Sequence, residues 1–387
     1  MWRHIASNAL TLLVVVAFLL GGAILWGQSQ YTAQGPLGEA ICLRVPPGAT
    51  MRRVSRQLEE EGAVTSGALF RLGAEYTERN DDLKAGSWLI PEGASMSEIT
   101  DLLTRGGAST CGTEIVWRIG VSATEVTVRE LDPATARFEE RVRFDPVALA
   151  EAERPEIYET VRARADTRYR VAFAEGLTSW QAVEGLKSVD VLTGELAGIP
   201  PEGSLAPDSY ELRAGDTRES VIARMIAAQE VILAAAWEGR AEGLPLESAE
   251  EALILASIIE KETGVPEERG AVASVFINRL RQGMRLQTDP TVIYGVTGGR
   301  GVLGRGLRQS ELRGETPWNT YVIDGLPPTP IANPGRASIE AAVNPDETNL
   351  LYFVADGSGG HAFAATLAAH NRNVARWREI EAGRTGN

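Results

Sequence analysis

An uncharged apolar run near the amino terminus constrains this chain more than any other feature. Residues Ala9 to Trp26 are rich in leucine, valine and alanine and contain no charged side chain. The run approaches the roughly 20 apolar residues that a helix needs to cross a bilayer. Arg3 and His4 precede it, and Glu39 is the first charge that follows. The positive-inside rule therefore predicts a cytoplasmic amino terminus.

The competing interpretation of this run is a cleaved signal peptide. Such a peptide has an apolar core of about 7–15 residues followed by a small-residue cleavage site. No convincing A-x-A pattern follows the run here. The sequence therefore favours an uncleaved single-pass anchor within residues 1–30, with the rest of the chain on the periplasmic side of an inner membrane.

Charge and cysteine content exclude some functions and leave one bond undecided. The net charge of −14 argues against nucleic acid as a partner. Cys42 and Cys111 are the two cysteines. Outside the cytoplasm they either form a disulfide or remain structural thiols, and both alternatives stay open. Neither has metal-ligand spacing, and none of the three histidines stands in an H-E-x-x-H arrangement, so we expect no metal and no cofactor.

A repeated pattern organises the region before the carboxyl-terminal part. Val45–Met51 (VPPGATM) is echoed by Ile90–Met96 (IPEGASM), and apolar residues follow the hydroxyl residue four and eight positions later. Fainter copies occur at residues 176–178 and 215–217. Each copy predicts a strand, a glycine turn and a short amphipathic helix capped by Thr or Ser. Between them, Trp117, Ile119, Val126 and Val128 suggest strands, and Ala148 to Arg164 suggests a charged helix.

The segment from Ser248 to Gly264 predicts a helix with one unusual residue. Ser248 and Glu251 match a capping box, and Gly264 with Pro266 ends the pattern. Glu262 falls in the middle of the apolar face, where poor solvation would raise its pKa and suit it to act as a general acid. Alternatively, it frays outward on the last turn and is merely solvated. The members of that apolar face are Ile254, Leu255, Ile258 and Ile259.

The chain after this helix favours a neutral, hydroxyl-rich ligand. A second helix is predicted from about Glu267 to Gln282, with Val272, Val275, Phe276 and Leu280 on its inner side. The loops at 284–295, 316–321 and 325–335 combine amides, hydroxyls and aromatic rings with few charges. Amides hydrogen-bond hydroxyls, and aromatic rings stack on sugar faces. Loops that only connect buried elements have a similar composition, so composition alone does not distinguish a ligand-binding loop from a connecting one.

Five blocks of sequence resemble a known family. They are Ala256–Thr263 (ASIIEKET), Val272–Leu280 (VASVFINRL), Met284–Tyr294 (MRLQTDPTVIY), Gly325–Pro328 (GLPP) and Leu351–Gly357 (LYFVADG), the last followed by Gly360-His361. Together they resemble the membrane-bound endolytic murein transglycosylases, the YceG-like family, most densely from about residue 237 onward. The resemblance implies a lytic transglycosylase that cleaves peptidoglycan strands internally. It also implies that Glu262, the second glutamate of Glu-Lys-Glu-Thr, is catalytic.

The resemblance implies a reaction that needs a single carboxyl group. The acid protonates the oxygen between N-acetylmuramic acid and N-acetylglucosamine, and the sugar's own 6-hydroxyl then attacks, leaving a 1,6-anhydro end. We expect substrate contacts from Gln287, Asp289, Tyr294, Asn319 and Tyr321, and more weakly from His361. Asp289 either orients its loop, with Pro290 fixing the backbone, or holds a water, which would make the enzyme a hydrolytic muramidase. A non-catalytic glycan-binding scaffold is the alternative from another class.

These observations predict an α+β protein of four segments. They are an anchor at 1–30, a LysM-like module at 41–110, a middle lobe at 111–235 with an insertion at about 114–168, and a mostly helical catalytic lobe with short strands at 236–387. The module either contacts glycan or only buries a core. The resemblance also suggests peptidoglycan synthases as partners, besides the glycan strands and the membrane.

Overall fold

Strands and helices alternate irregularly along the chain, which confirms the α+β class. The computed structural model describes residues 2–107 and 109–385. Four residues lie outside the described ones, namely Met1, Ala108, Gly386 and Asn387. Met1 belongs to the predicted anchor segment, and Gly386 and Asn387 belong to the predicted catalytic segment. The strands are β1 (Ile41–Val45), β2 (Gly86–Ile90), β3 (Thr113–Ile119), β4 (Thr124–Asp132), β5 (Arg137–Phe144), β6 (Arg168–Phe173), β7 (Ser209–Leu212), β8 (Tyr352–Ala355) and β9 (His361–Ala364). The helices are α1 (Trp2–Thr32), α2 (Met51–Glu60), α3 (Gly67–Tyr76), α4 (Met96–Arg105), α5 (Glu156–Arg162), α6 (Ser179–Lys187), α7 (Arg218–Glu238), α8 (Ala249–Glu262), α9 (Arg269–Arg281), α10 (Asp289–Thr297), α11 (Gln309–Leu312), α12 (Arg336–Val343) and α13 (Leu367–Thr385).

The chain divides into two units. Unit 1 comprises Met1–Ile115, Thr127–Arg143 and Glu151–Tyr169. Unit 2 comprises Val116–Val126, Phe144–Ala150 and Arg170–Asn387. This division has other boundaries than the four segments expected from the sequence, and those segments stay a prediction.

Unit 1 contains both strong copies of the repeated pattern. Strands β1 and β2 pair antiparallel, with Ile41 opposite Ile90. The hydroxyl of Thr50 caps α2, and Ser95 forms a reciprocal capping box with Glu98 at the start of α4. The strand, turn and capped helix are therefore confirmed for each copy. The core joins side chains from the end of α1, the segment after it, β1, β2, α2, α3 and α4: Tyr31, Leu37, Leu43, Val54, Leu58, Phe70, Ile90, Ile99 and Leu103.

A disulfide joins Cys42 of β1 to Cys111, with the two Cα atoms 5.9 Å apart. The segment that carries Cys111 lies beside β2, because its backbone amide donates to the carbonyl of Ser87 at 3.2 Å. No free cysteine is present among the described residues. The alternative left open by the sequence is thus decided in favour of the bond.

A five-stranded sheet has the strand order β5-β4-β3-β6-β7. It contains the strands predicted around Trp117 and Val126. The helix predicted from Ala148 to Arg164 is wrong, since these residues form a short 3-10 turn and then α5. Pro155 immediately precedes α5. Its ring has no amide hydrogen to donate and clashes with a preceding helical turn, so a helix can begin after it but cannot run through it.

The two fainter copies of the pattern also form capped helices. Thr178 caps α6 and forms a capping box with Gln181. Thr217 caps α7 by accepting the amide of Ser220. The expectation of a short helix is wrong for α7, which has 21 residues.

Helix α8 lies at the centre of unit 2 and packs against α7, α9 and α12. Its residues 252–259 are all buried, so it is enclosed on more sides than the single apolar face suggests. Ser248 caps it by accepting the amide of Glu251, as predicted. The carboxylate of Glu251 returns to the amide of Glu247 instead of to Ser248. Of the two hydrogen bonds of a capping box, only the one accepted by the Ser248 hydroxyl is therefore formed.

The second predicted helix is confirmed with a break at its start. A 3-10 turn at Pro266–Glu268 leads into α9, on which Val272, Val275 and Phe276 are buried. Farther on, β8 and β9 pair antiparallel, with Tyr352 opposite Ala364. Helix α13 packs against this hairpin.

Among the described residues, two helices are long and apolar enough to cross a membrane, namely Leu10–Thr32 and Arg218–Glu238. The second is α7, whose Val221 and Met225 are buried in unit 2. The first coincides with the predicted anchor, and its large apolar side chains are exposed, including Phe18 at 82% and Leu19 at 69%. Length and composition alone do not separate an anchor from a signal sequence.

Candidate active site

Glu262 is the last residue of α8, two residues before the predicted end at Gly264. The helix stops there because Thr263 is extended, with φ −137° and ψ 130°. The side chain of Glu262 is partly buried, and its Oε1 accepts a hydrogen bond from the hydroxyl of Thr288. The carboxyl therefore lies against the start of α10 and does not fray into bulk solvent.

The surroundings of Glu262 raise the pKa of its carboxyl. Burial is the largest cause, and the negative charge of Asp289 acts in the same direction. The hydrogen bond from Thr288 and the positive charges of His361 and Arg279 lower the pKa, without cancelling the increase. The carboxyl end of a helix also disfavours a nearby anion. Glu262 consequently keeps its proton to a higher pH than an ordinary glutamate, as a general acid requires.

Asp289 and Tyr321 form a hydrogen-bonded pair beside Glu262. The Tyr321 hydroxyl donates to Asp289 Oδ1 at 2.7 Å. Asp289 opens α10, and the preceding amide of Thr288 donates to the hydroxyl of Thr320 at 3.0 Å, which holds the two loops together. Burial raises the pKa of Tyr321, so its hydroxyl stays protonated as a donor. The fold thus gathers three of the predicted site residues at one place.

Two basic side chains complete the surroundings of the carboxyl. Arg279 is buried on α9, where its Nε donates to the carbonyl of Leu351 at 2.7 Å and its Nη1 to that of Leu286 at 2.6 Å. His361, at the start of β9, has its Nδ1 2.7 Å from Glu268 Oε2. Its backbone amide donates to the other oxygen of the same carboxylate at 2.8 Å. Both basic groups are therefore held in place by other parts of the chain.

Three further predicted residues lie in different settings. Gln287 is exposed, with a φ of 49° in the left-handed region that few residues except glycine adopt. Asn319 is fully buried, and its amide donates to the carbonyls of Glu311 and Leu312 in α11 and to that of Gly314, so it ties α11 to the segment that carries Tyr321. The hydroxyl of Tyr294 donates to a carboxylate oxygen of Glu202 at 3.2 Å. Their contacts with a ligand stay predictions.

Sequence reasoning missed Thr288, Arg279 and Glu268. Arg279 carries the same signal that singled out Glu262, because it lies four residues after the buried Val275 and so places a charge on an apolar helix face. Thr288 lies within the Met284–Tyr294 block, but nothing local shows that it faces α8. Glu268 has no local signal, since its partner His361 is 93 residues away.

Asn333 connects three separate segments of unit 2. It is fully buried, and its Nδ2 donates to the carbonyl of Leu177 at 3.1 Å, to the hydroxyl of Ser179 at 3.2 Å and to Glu202 Oε1 at 3.2 Å. Its Oδ1 accepts the amide of Leu205 at 2.9 Å. One side chain therefore contacts four polar groups. Three of them keep another partner, whereas the amide of Leu205 has this one.

We expect Asn333→Ala to lower the free energy of unfolding by about 2–3 kcal/mol. The buried amide of Leu205 is left without its partner, at a cost of about 1–3 kcal/mol, and the missing side chain leaves a cavity. The matched control is Asn344→Ala. Asn344 is exposed and makes one long bond, 3.4 Å to the carbonyl of Gly239, so its loss should cost at most about 0.5 kcal/mol. Denaturant unfolding of the full chain in detergent measures both, and equal stabilities would contradict the prediction.

This chain is similar to known proteins in sequence and in structure. A sequence model of the YceG-like family matches residues 43–376. The endolytic murein transglycosylase of Bacillus subtilis is 27% identical over 92% of this chain and 89% of its own length. That of Streptococcus pneumoniae serotype 2 is 26% identical over 96% of this chain, which spans 65% of that relative. A crystal structure of a YceG-like protein from Listeria monocytogenes is 24% identical, covers 86% of this chain and 98% of its own, and has a TM-score of 0.45.

Proposed function

The chain belongs to the YceG-like family, and on that premise we propose that it is an endolytic murein transglycosylase with Glu262 as its catalytic acid and base. The observation that carries this proposal is the position of Glu262 at the end of α8, where its carboxyl contacts Thr288 and burial raises the pKa of that carboxyl. The names of the Bacillus and Streptococcus relatives support the same activity. The substrate is then a glycan strand, and the bond cleaved is the one between N-acetylmuramic acid and N-acetylglucosamine.

The reaction proceeds in two proton transfers through one carboxyl. Protonated Glu262 donates its hydrogen to the glycosidic oxygen, the bond from that oxygen to C1 breaks, and the electron pair leaves with the N-acetylglucosamine end. The C1 centre becomes oxocarbenium-like. The 6-hydroxyl of the same muramic acid then forms a bond to C1, and the Glu262 carboxylate takes the hydroxyl proton. The carboxyl is regenerated, and the product carries a 1,6-anhydro end.

The position of Asp289 favours a second candidate function, that of a hydrolytic muramidase. Its exposed carboxylate is close enough to raise the pKa of Glu262, and a carboxylate in such a position can activate water. In the transglycosylase we assign Asp289 two other roles. Its charge adds to the effect of burial in keeping Glu262 protonated, and its bond to Tyr321 orients the tyrosine toward the strand.

Mass spectrometry of the products tests the proposal. Strands cut by the transglycosylase end in anhydro sugars, which are lighter by one water than the reducing ends left by a hydrolase. Purified full-length protein in detergent is incubated with glycan strands, and the new ends are assigned by mass. Anhydro ends support the transglycosylase, reducing ends support the muramidase, and no new ends would favour a non-catalytic scaffold.

The pH dependence of the reaction should respond in opposite directions to two neighbouring substitutions. Thr288→Val removes a hydrogen bond that lowers the pKa of Glu262. The acid is active while protonated, so the alkaline limb of the pH profile of kcat/KM should move to higher pH. Asp289→Asn removes a charge that raises this pKa, and the same limb should move to lower pH. A pH profile of each variant measures the shifts, and shifts of the same sign would contradict the assignment.

We also propose that α1 is an uncleaved membrane anchor with its amino terminus in the cytoplasm, which places the catalytic residues in the periplasm. The exposed apolar side chains of α1 and the charges flanking the run support the anchor and its orientation. The disulfide supports an oxidising compartment. Cleavage near the membrane would then limit the length of nascent strands.

The four-segment organisation and the partners belong to the same proposal. The pair of strand and capped-helix units in residues 41–110 supports a LysM-like module that contacts glycan, ahead of a middle lobe with its insertion at about 114–168 and the catalytic lobe. Peptidoglycan synthases are proposed partners because they work at the same membrane surface on the same strands. The alternative, a scaffold that only recruits them, predicts that a chain without cleavage activity keeps its cellular role.

A further inference from the structure

The end of α1 is built into the fold of unit 1. Tyr31, in its last turn, is buried, and its hydroxyl donates to Thr100 Oγ1 of α4 at 2.7 Å. The Tyr31 ring lies so close to Gly73 of α3 that a Cβ at that position would overlap it. Beyond the helix, the amide of Gly35 donates to the carbonyl of Gly93 at 3.0 Å. Helix α1 is therefore packed onto α3 and α4 and is not joined to them by a loose tether.

Helix α3 carries an apolar stripe that α1 covers only in part. Leu69, Leu72, Gly73 and Tyr76 have the spacing i, i+3, i+4, i+7 of one helix face. Leu69 and Gly73 lie against α1, whereas Leu72 is 62% exposed and Tyr76 is 71% exposed. Outside α1, one other large apolar side chain of unit 1 is exposed among the described residues, Ile157 at 41%. The uncovered apolar surface is thus concentrated beside the anchor.

The contacts between α1 and α3 show how far this stripe lies from the end of the apolar run, measured along the axis of α1. The first turn of α3 lies against Gly27, directly after the run ends, and Gly73 lies against Tyr31. These two positions of α1 are separated by about 6 Å along the helix axis. The polar headgroup layer on each side of a bilayer is about 5–7 Å thick. Leu72 is then at headgroup depth. The backbone of Tyr76 is about 10 Å above Gly27, beyond that layer, and its side chain tilts back toward the layer because helical side chains point to the amino-terminal end.

We propose that the face of α3 formed by Leu72 and Tyr76 rests in the lipid headgroup layer of the outer leaflet. This inference depends on the proposed anchor. Two side chains are too few for a stable protein interface, which takes about 20–30 residues on each side. The patch instead belongs to the helix face that contacts the end of α1 through Leu69 and Gly73, and a tyrosine beside a leucine suits the boundary between hydrocarbon and water. The strand and helix unit that follows the anchor is then held at a fixed tilt to the membrane.

Single introduced cysteines allow a direct test, because the two native cysteines are bonded to each other and no free thiol occurs among the described residues. Full-length variants Leu72→Cys and Tyr76→Cys are labelled with nitrobenzoxadiazole, an environment-sensitive fluorophore. Glu139→Cys is the matched control, since Glu139 lies on β5 of the same unit with its side chain 55% exposed. The proteins are placed in vesicles of phosphatidylethanolamine and phosphatidylglycerol, with or without a lipid that carries a quencher on its headgroup.

We expect blue-shifted emission and a loss of intensity with the quencher lipid for the label at position 72, a smaller loss at 76, and neither effect at 139. Equal unquenched emission at 72 and 139, in protein that resists alkaline carbonate extraction, would overturn the inference and leave the anchor standing. A blue shift at 72 without quenching would mean that protein covers the patch, which also overturns it. Release of the protein by carbonate would overturn the anchor itself, and the inference with it.

Discussion

Glu262→Gln should cleave glycan strands at least about 10²–10⁴-fold more slowly than the wild type, the range that a positioned general acid or base contributes. Glutamine has the same shape, and its carbonyl oxygen can still accept the hydrogen bond from Thr288. It cannot donate a proton to the glycosidic oxygen or take one from the 6-hydroxyl. Both proton transfers therefore fail while the fold and the strand contacts remain. Release of anhydro-ended fragments over time is the measurement.

Glu250→Gln is the matched control for this variant. Glu250 lies in the first turn of the same helix, is exposed, and is a full α8 length away from the carboxyl end. It makes the same chemical change without touching the site, so its cleavage rate should equal that of the wild type. If Glu262→Gln cleaves strands as fast as this control, Glu262 is not the acid. If it loses cleavage but restores growth to cells lacking the protein, the scaffold alternative gains support.

Local signals in the sequence predicted the local parts of the fold. Each of the five hydroxyl residues predicted to cap a helix does so, because a cap depends on a few neighbouring residues: Thr50, Ser95, Thr178, Thr217 and Ser248. Strand β5 gave no such signal. Its sequence RFEERVRF is largely exposed and charged, and it lies at the edge of the sheet, where pairs such as Arg141 with Glu130 at 3.0 Å replace an apolar face.

The site was predictable where helical phase sufficed and not where distant segments meet. Glu262 was selected because its position on the helix places a carboxyl among buried residues, and the raised pKa agrees with that argument. Its contact with Thr288 depends on α8 meeting the start of α10, 26 residues farther along, which no local pattern encodes. Asn319 shows the converse. An amide in a polar loop suggested a ligand contact, but carbonyls of α11 and of Gly314 accept its hydrogen bonds.

Removing the disulfide with Cys42→Ala and Cys111→Ala should lower the free energy of unfolding of unit 1 by about 4 kcal/mol on the loop-entropy model. The bond joins residues 69 positions apart, so the unfolded chain gains much conformational freedom without it. Alanine is preferred to serine because Cys111 is fully buried, and burying a hydroxyl costs free energy unless it is hydrogen-bonded. Amide hydrogen exchange should show lost protection in β1 and β2, while α8 and α9 of unit 2 keep theirs.

A reducing agent separates the loss of the bond from damage caused by the substitutions. Reduction should bring the wild type down to the stability of the double variant and leave that variant unchanged, because both chains then lack the same covalent link. If the double variant is less stable than the reduced wild type, the alanines have left a cavity in the core beside the bond. If it is as stable as the oxidised wild type, the contacts that bring the Cys111 segment to β2 hold without the link. The disulfide would then be a consequence of the fold of unit 1 and would contribute little to its stability.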